Sequence, residues 1–296
     1  MSKLEATPLS FRSASALLMS YQLHSKHPLA PSIRAVARAQ VHAAIACCQS
    51  AEDGHAIHSV RKHGKKLRAL LRLIRYANTT TDTLYHTENA RYRSINAALS
   101  TCRENASLHL ALEDQLEAER FPHTAAHLKG RLDNGHTEKL LAQAEKSLQL
   151  ALIKIDGWHF QGASWDDIEL GYCKSYRRAF KAMRHAFAMS TDEHFHTLRK
   201  RVKDQWYQSR LLEEHYPETI GTRTRGLQKL ASALGDWRDL RLLCQHLARY
   251  GDDTPEMASE QRALLEQANQ RLQQLRIEIQ QLCESLFLQP SCPLSK

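Results

Sequence analysis

The chain has 296 residues, an apolar fraction of 42% and few Gly (11) or Pro (8), which excludes a disordered polymer and favours one large or two small helical domains. Its 41 Lys/Arg exceed its 32 Asp/Glu, a formal charge of +9. A surplus of that size points to a polyanionic partner such as nucleic acid, a phosphate polymer or a membrane surface.

Prolines punctuate the chain. Residues 1–30 read as a leader, with only a short apolar run at Ala16–Met19 that is too brief for a signal sequence. No stretch is long enough to span a bilayer, so the expected setting is cytoplasmic. Seven Cys form no CxxC pair, which suggests reduced thiols, with Cys102, Cys173, Cys244 and Cys283 expected in core positions. Helices are predicted at 32–51, 55–77, 82–100, 102–120 and 137–155. A second set follows at 167–189, 193–215, 219–235, 237–250 and 256–287. No strand is expected, and Trp158–Phe160 reads as a loop anchor. The tail is 289–296.

The second predicted helix holds the most informative stretch, HSVRKHGKKLRALLRLIR from His58 to Arg75, with seven Lys/Arg and no acid. At 100° per residue, His58, Arg61, Lys65, Arg68 and Arg72 fall within an arc of about 80°. Val60, Leu67, Leu70, Leu71 and Ile74 fall on a separate arc of about 100°, nearly opposite the His. One face therefore feeds a core while the other carries a row of cations about 21 Å long. Like charges at i, i+4 repel by a few tenths of a kcal/mol per pair, and nothing on the helix offsets them.

An offset of 138 residues lays HSVRKHGKKLRALLR over HTLRKRVKDQWYQSR. His58 then matches His196, and Arg61, Lys62, Lys65 and Arg72 match Arg199, Lys200, Lys203 and Arg210. Further on, ALSTCRE lies over ALGDWRD, pairing Arg103 with Arg238, while Arg34 and Arg38 fall near Lys174 and Arg178. The recurrence suggests a duplicated helical unit, 31–156 and 157–288. A solvated charged face is the plain alternative. Three features argue against it: the missing acids, the recurrence at the repeat offset, and the equally basic preceding helix GYCKSYRRAFKAMRHAF. Residues 251–296 hold four Lys/Arg against seven Asp/Glu, so the positive charge is concentrated upstream. Arg suits phosphate because its fork donates two parallel hydrogen bonds. His58 and His196 could instead cap or pack their helices.

The doubled H-x-x-R-K pattern, with FHTLRKRVKDQWYQSRLLEEHYP followed by LASALGDWRDLRLL, resembles the CHAD (conserved histidine α-helical) domain, over about Leu9 to Phe287. The resemblance implies an all-α fold of two four-helix-bundle repeats with pseudo-two-fold symmetry around a central basic groove or pore. It also implies binding of inorganic polyphosphate and association with polyphosphate granules. The implied binding set is His58, Arg61, Lys62, Lys65, Lys66, Arg68 and Arg72 with His196, Arg199, Lys200, Lys203 and Arg210. Arg34, Arg38, Lys174, Arg178, Arg103 and Arg238 are secondary candidates. Asp204 stands at the position of Lys66 and Trp206 at that of Arg68, which predicts a weaker grip at the far end of the second row. Many relatives carry a triphosphatase domain with an E-x-E-x-K motif, which is not found here, so the expectation is a stand-alone binding module.

Catalysis finds little support. There is no G-x-x-x-x-G-K-S/T loop and no HD pair. Asp166 and Asp167 read as N-terminal capping residues, and neither His55 with His58 nor His194 with His196 has a ligand partner nearby. No cofactor or metal is expected. Nucleic acid is the competing partner, because Trp206, Tyr207, Tyr172 and Tyr176 sit among the cations and could stack on bases.

Overall fold

The computed structural model describes residues 21–50, 56–130, 134–250 and 255–295, with the backbone alone described at 101–106, 130, 134–136, 250 and 255–257. All regular structure among these residues is helical: α1 (Leu29–Gln49), α2 (Ala56–Ile74), α3 (Thr79–Ala98), α4 (Ser100–Gln115), α5 (Pro122–Gly130), α6 (Asn134–Ile155), α7 (Trp165–Met189), α8 (Asp192–Leu212), α9 (Pro217–Tyr250) and α10 (Pro255–Leu286). A short 3₁₀ turn covers Ala118–Arg120.

The caps explain the boundaries. Asn78 closes a reciprocal capping box with Thr81 at the start of α3. Ser164 does the same with Asp167 at α7, so the capping role read for Asp167 holds. Ser190 ends α7 in the left-handed region at φ 52°, and the Thr191 hydroxyl accepts the His194 amide to open α8.

Two stretches differ from the sequence reading. The helices expected at 219–235 and 237–250 are one 34-residue helix, α9. Gly235 costs an isolated helix only about 1 kcal/mol, and Leu234, Trp237 and Leu240 around it are buried in the core, so packing carries the helix through. The expected 102–120 helix ends at Gln115, and a further helix, α5, begins at Pro122. Proline suits the first helical position, where its missing N–H is not needed.

Helices α1, α2, α3 and α6 pack around one apolar centre, and α7 to α10 pack each on the next. Helix α4 crosses to lie on α9, and α5 lies on α10. The two groups meet where α2 packs on α7 and α8. That contact is close: a Cβ on Gly171 of α7 would sit 1.9 Å from the Leu73 carbonyl oxygen of α2. Gln208 of α8 donates to the Ala69 carbonyl of α2 at 3.1 Å. The apolar arc of α2 behaves as its spacing predicts, since Val60, Leu67, Leu70, Leu71 and Ile74 are all buried. Trp158 and Phe160 are buried between α6 and α7, as the anchor reading requires.

The cysteines depart from expectation in one respect. Cys173 and Cys283 are buried as predicted and Cys244 is half-buried, but Cys173 of α7 is not a free thiol: it is bonded to Cys292 of the tail. The two lie 119 residues apart. What joins them is packing: Phe287 is buried, and the Tyr176 hydroxyl donates to the Gln289 carbonyl at 2.7 Å, which returns the tail to α7. No helix among the described residues is long and apolar enough to cross a membrane.

Candidate functional site

The α2–α8 contact carries the site. Because the apolar arc of α2 is turned into the core, its cationic arc is turned towards α8. Arg61, Lys65, Arg68 and Arg72 of α2 line one side of a cavity of about 620 Å³, and His196, Arg199, Lys200, Arg201 and Lys203 of α8 line the other. Arg93 of α3 and Arg238 of α9 close it, giving ten Lys/Arg against two carboxylates, Asp204 and Asp239. A second cavity of about 270 Å³ adjoins it through Lys65, Arg199, Lys203, Tyr207 and Asp239, and adds His58 and Lys62. The two ridges predicted from sequence therefore share one trough.

Electrostatics record the convergence. Burial, then Arg72 beside it, holds the Arg68 guanidinium below its ordinary range, with Asp204 opposing. Burial also lowers the Lys200 ammonium, reinforced by Arg201 and Arg238 and then, from the facing helices, by Arg68 and Arg93. His196 is pushed down to about 4 by burial and by Lys200, Arg238, Arg199 and Lys65 of α2. Its Nδ1 accepts a hydrogen bond from the Arg238 Nε at 3.1 Å, which leaves the ring proton on Nε2. Cations that lower one another, in a cavity with ten Lys/Arg against two carboxylates, mark a site of net positive potential, the condition that an anion relieves.

Asp204 has a structural part. Its Oδ1 accepts from Arg72 at 2.6 Å in a pair that is nearly closed to solvent, and Arg201 lies 3.6 Å from its Oδ2. Burial alone would lower the Arg72 guanidinium, but Asp204 and Tyr85 hold it above its usual value. The acid that breaks the repeat pattern thus staples α8 to α2 and occupies the far end of the first row.

Six candidates lie away from the cavities. Lys66 is buried under the Tyr21 ring, 4.9 Å from its centroid, and its ammonium is pushed down to about 8 by burial and by Arg210 and Lys62. At 100° per residue it stands one step off the cationic arc, which suffices to turn it into this pocket. Arg210 lies over Tyr21 and Trp206 on the same side. Arg34 donates to the Trp158 carbonyl at 3.0 Å, Arg38 pairs with Asp156, and Arg178 donates to the Tyr76 hydroxyl at 2.8 Å. Lys174 is exposed on α7 and lines neither of these two cavities. Arg103 lies on α4, and its side chain is outside the described residues, as is that of Cys102.

Sequence reasoning missed Arg93, Arg201, Asn89 and Asn96. Arg201 lies over His63 at the 138-residue offset, so the repeat match of cation to cation passes over it. Arg93 lies on α3, whose mixed charges give no stripe to notice. Asn89 accepts from the Arg68 Nε at 2.9 Å, and the Asn96 carbonyl accepts from Arg61, so these neighbours hold the cationic row in place. Of the aromatic residues, Tyr172, Tyr176 and Tyr207 are buried in the core, and Trp206 stacks on Tyr207 with centroids 4.9 Å apart. Among the described residues no three His, Cys, Asp or Glu side chains gather to hold a metal.

Among the described residues, fold and cavity together define a helical protein with a cation-lined cavity between α2 and α8. The sequence matches the CHAD domain family over residues 33–248, and the chain belongs to that family. Its fold is similar to the crystal structure of the CHAD domain from the plant Ricinus communis, with 13% identity, coverage of 90% of this chain and 93% of that chain, and a TM-score of 0.64. No curated protein matches the sequence.

Proposed function

We propose that the protein binds inorganic polyphosphate in the trough between α2 and α8, without turning it over, and that it associates with polyphosphate granules in the cytoplasm. The observation that carries this reading is the single cavity lined by ten Lys/Arg from four helices. Polyphosphate is a flexible chain of near-uniform negative charge with no bases to read. Its recognition calls for charge density and hydrogen-bond donors spaced along a groove, which Arg forks and Lys point charges supply. The family resemblance points to the same ligand.

Nucleic acid fits less well. Base stacking needs open aromatic faces; of the candidate rings Tyr172 and Tyr176 are in the core, and Trp206 and Tyr207, which border the second cavity, are stacked on each other. Catalysis would need an activated water or nucleophile, and of the two cavity carboxylates Asp204 is held by Arg72 while Asp239 lies 3.9 Å from Arg238.

The test compares Arg61→Ala/Arg199→Ala with Lys26→Ala/Lys181→Ala, whose side chains are exposed and line neither the main nor the second cavity. Isothermal titration with long-chain polyphosphate should show the first pair at least about tenfold weaker, since each phosphate-binding Arg contributes about 1 kcal/mol or more. Indistinguishable isotherms would reject the trough as the site. Displacement of polyphosphate by single-stranded RNA at equal charge would favour nucleic acid, and phosphate release over time would favour an enzyme.

A further inference from the structure

A third cavity continues the trough. It has a volume of about 440 Å³, lies between α9 and α10, and adjoins the second cavity through Ser232 and Asp236. The link is one stripe of α9. Arg225, Lys229, Ser232, Asp236 and Asp239 follow at steps of four, three, four and three, so they share a face and span about 21 Å. Asp239 borders the main cavity, while Arg225 and Lys229 border the third. The balance of charge is graded along this line. The third cavity sets Arg225, Lys229 and Arg271 against Asp236 and Glu278. The second sets four Lys/Arg against two Asp, and the main cavity ten against two.

Gly235 lies in the second cavity, and a Cβ there would stand 3.6 Å from the Arg199 guanidinium. A glycine inside a helix costs about 1 kcal/mol relative to alanine. At this position it keeps the passage beside Arg199 wide.

We infer that the α9–α10 cavity is the second mouth of the site, so that a linear polyanion longer than the main cavity threads past Gly235 and leaves over Arg225, Lys229 and Arg271. This inference rests on the trough reading and adds to it an open-ended path that selects long chains. A ligand entering at this mouth moves from a nearly balanced surface into steadily rising positive potential, which favours capture and inward movement of a chain end. Several weakly held phosphates at the mouth add to overall affinity because the trough already fixes their neighbours.

The experiment uses Arg225→Gln/Lys229→Gln, two exposed helical positions changed to another good helix former, together with Gly235→Met. Affinities for long-chain polyphosphate and for tripolyphosphate are measured across a salt series, with circular dichroism melting to verify folding. For the charge pair, long-chain affinity should fall about tenfold and the log–log salt slope by about two, one per lost phosphate contact. Tripolyphosphate should bind that variant as it binds the wild type. Gly235→Met should weaken long chains without altering any charge.

Long-chain isotherms equal to wild type in both variants would overturn the second mouth, with the trough reading intact. Equal loss for both ligands in the charge pair would also overturn it, since Arg225 and Lys229 would then act only through the general field. Failure of the wild type to bind either ligand would sink the trough reading itself.

Discussion

At the scale of the residue, His196 is the most informative group. Its ring is neutral because burial and surrounding cations hold it down to about 4. A phosphate placed in the trough offsets those cations and raises the value, so binding takes up a proton. Affinity should therefore strengthen as pH falls from neutral and level off near the free-state value, the reverse of what a lowered bound-state value would give. His196→Gln keeps an acceptor for Arg238 and removes the titration. Plots of log affinity against pH, between about 7.5 and about 5.5 to span the ordinary histidine range, should be flatter for this variant. Equal slopes would place His196 outside the binding event. Lys66 shows the opposite lesson: a cation in the middle of a basic motif can serve the core, here by lying on Tyr21.

At the scale of the element, the crossing of α2 and α7 sets how α2 presents its charges. Gly171 has no space for a side chain, because its neighbour is the main-chain oxygen of Leu73, which cannot move without α2. Gly171→Ala should destabilise the fold by about 3 kcal/mol, the upper range for overpacking. Gly157→Ala, whose Cβ would find ordinary contact at 3.6 Å from the Lys154 carbonyl, should change stability by less than about 0.5 kcal/mol. Urea midpoints of the two variants check this difference. The buried Arg72–Asp204 pair adds a directional tie between α2 and α8, since both partners lose water and each completes the other.

At the scale of the whole molecule, ten cations around one cavity make the ligand-free protein repel itself. Polyphosphate in excess should raise the thermal midpoint, because a ligand at 100 times its Kd stabilises the folded state by about 2.7 kcal/mol. Salt should oppose this steeply. With six or more phosphates neutralised, affinity should fall by roughly three orders of magnitude between about 50 and about 200 mM salt. A melting temperature that stays flat across a saturating titration at low salt would contradict binding to the folded state.

What the sequence determined by itself was the helical content, the two cationic rows and the core arc of α2, because each is set by spacing along a single helix. Arg61, Lys65, Arg68 and Arg72 line the cavity as their arc required, and so do His196, Arg199 and Lys203 of the second row, while Arg210 does not. The Cys173–Cys292 bond, the unbroken α9, the contribution of Arg93 and the removal of Lys66, Arg210, Arg34, Arg38, Lys174 and Arg178 from the cavity were decided by tertiary structure. These depend on which surfaces of separate helices meet, and charge at a given angle does not encode whether a partner helix, a tyrosine ring or water stands opposite. Packing of α2 against α7 and α8 supplied that answer and turned two stripes into one trough.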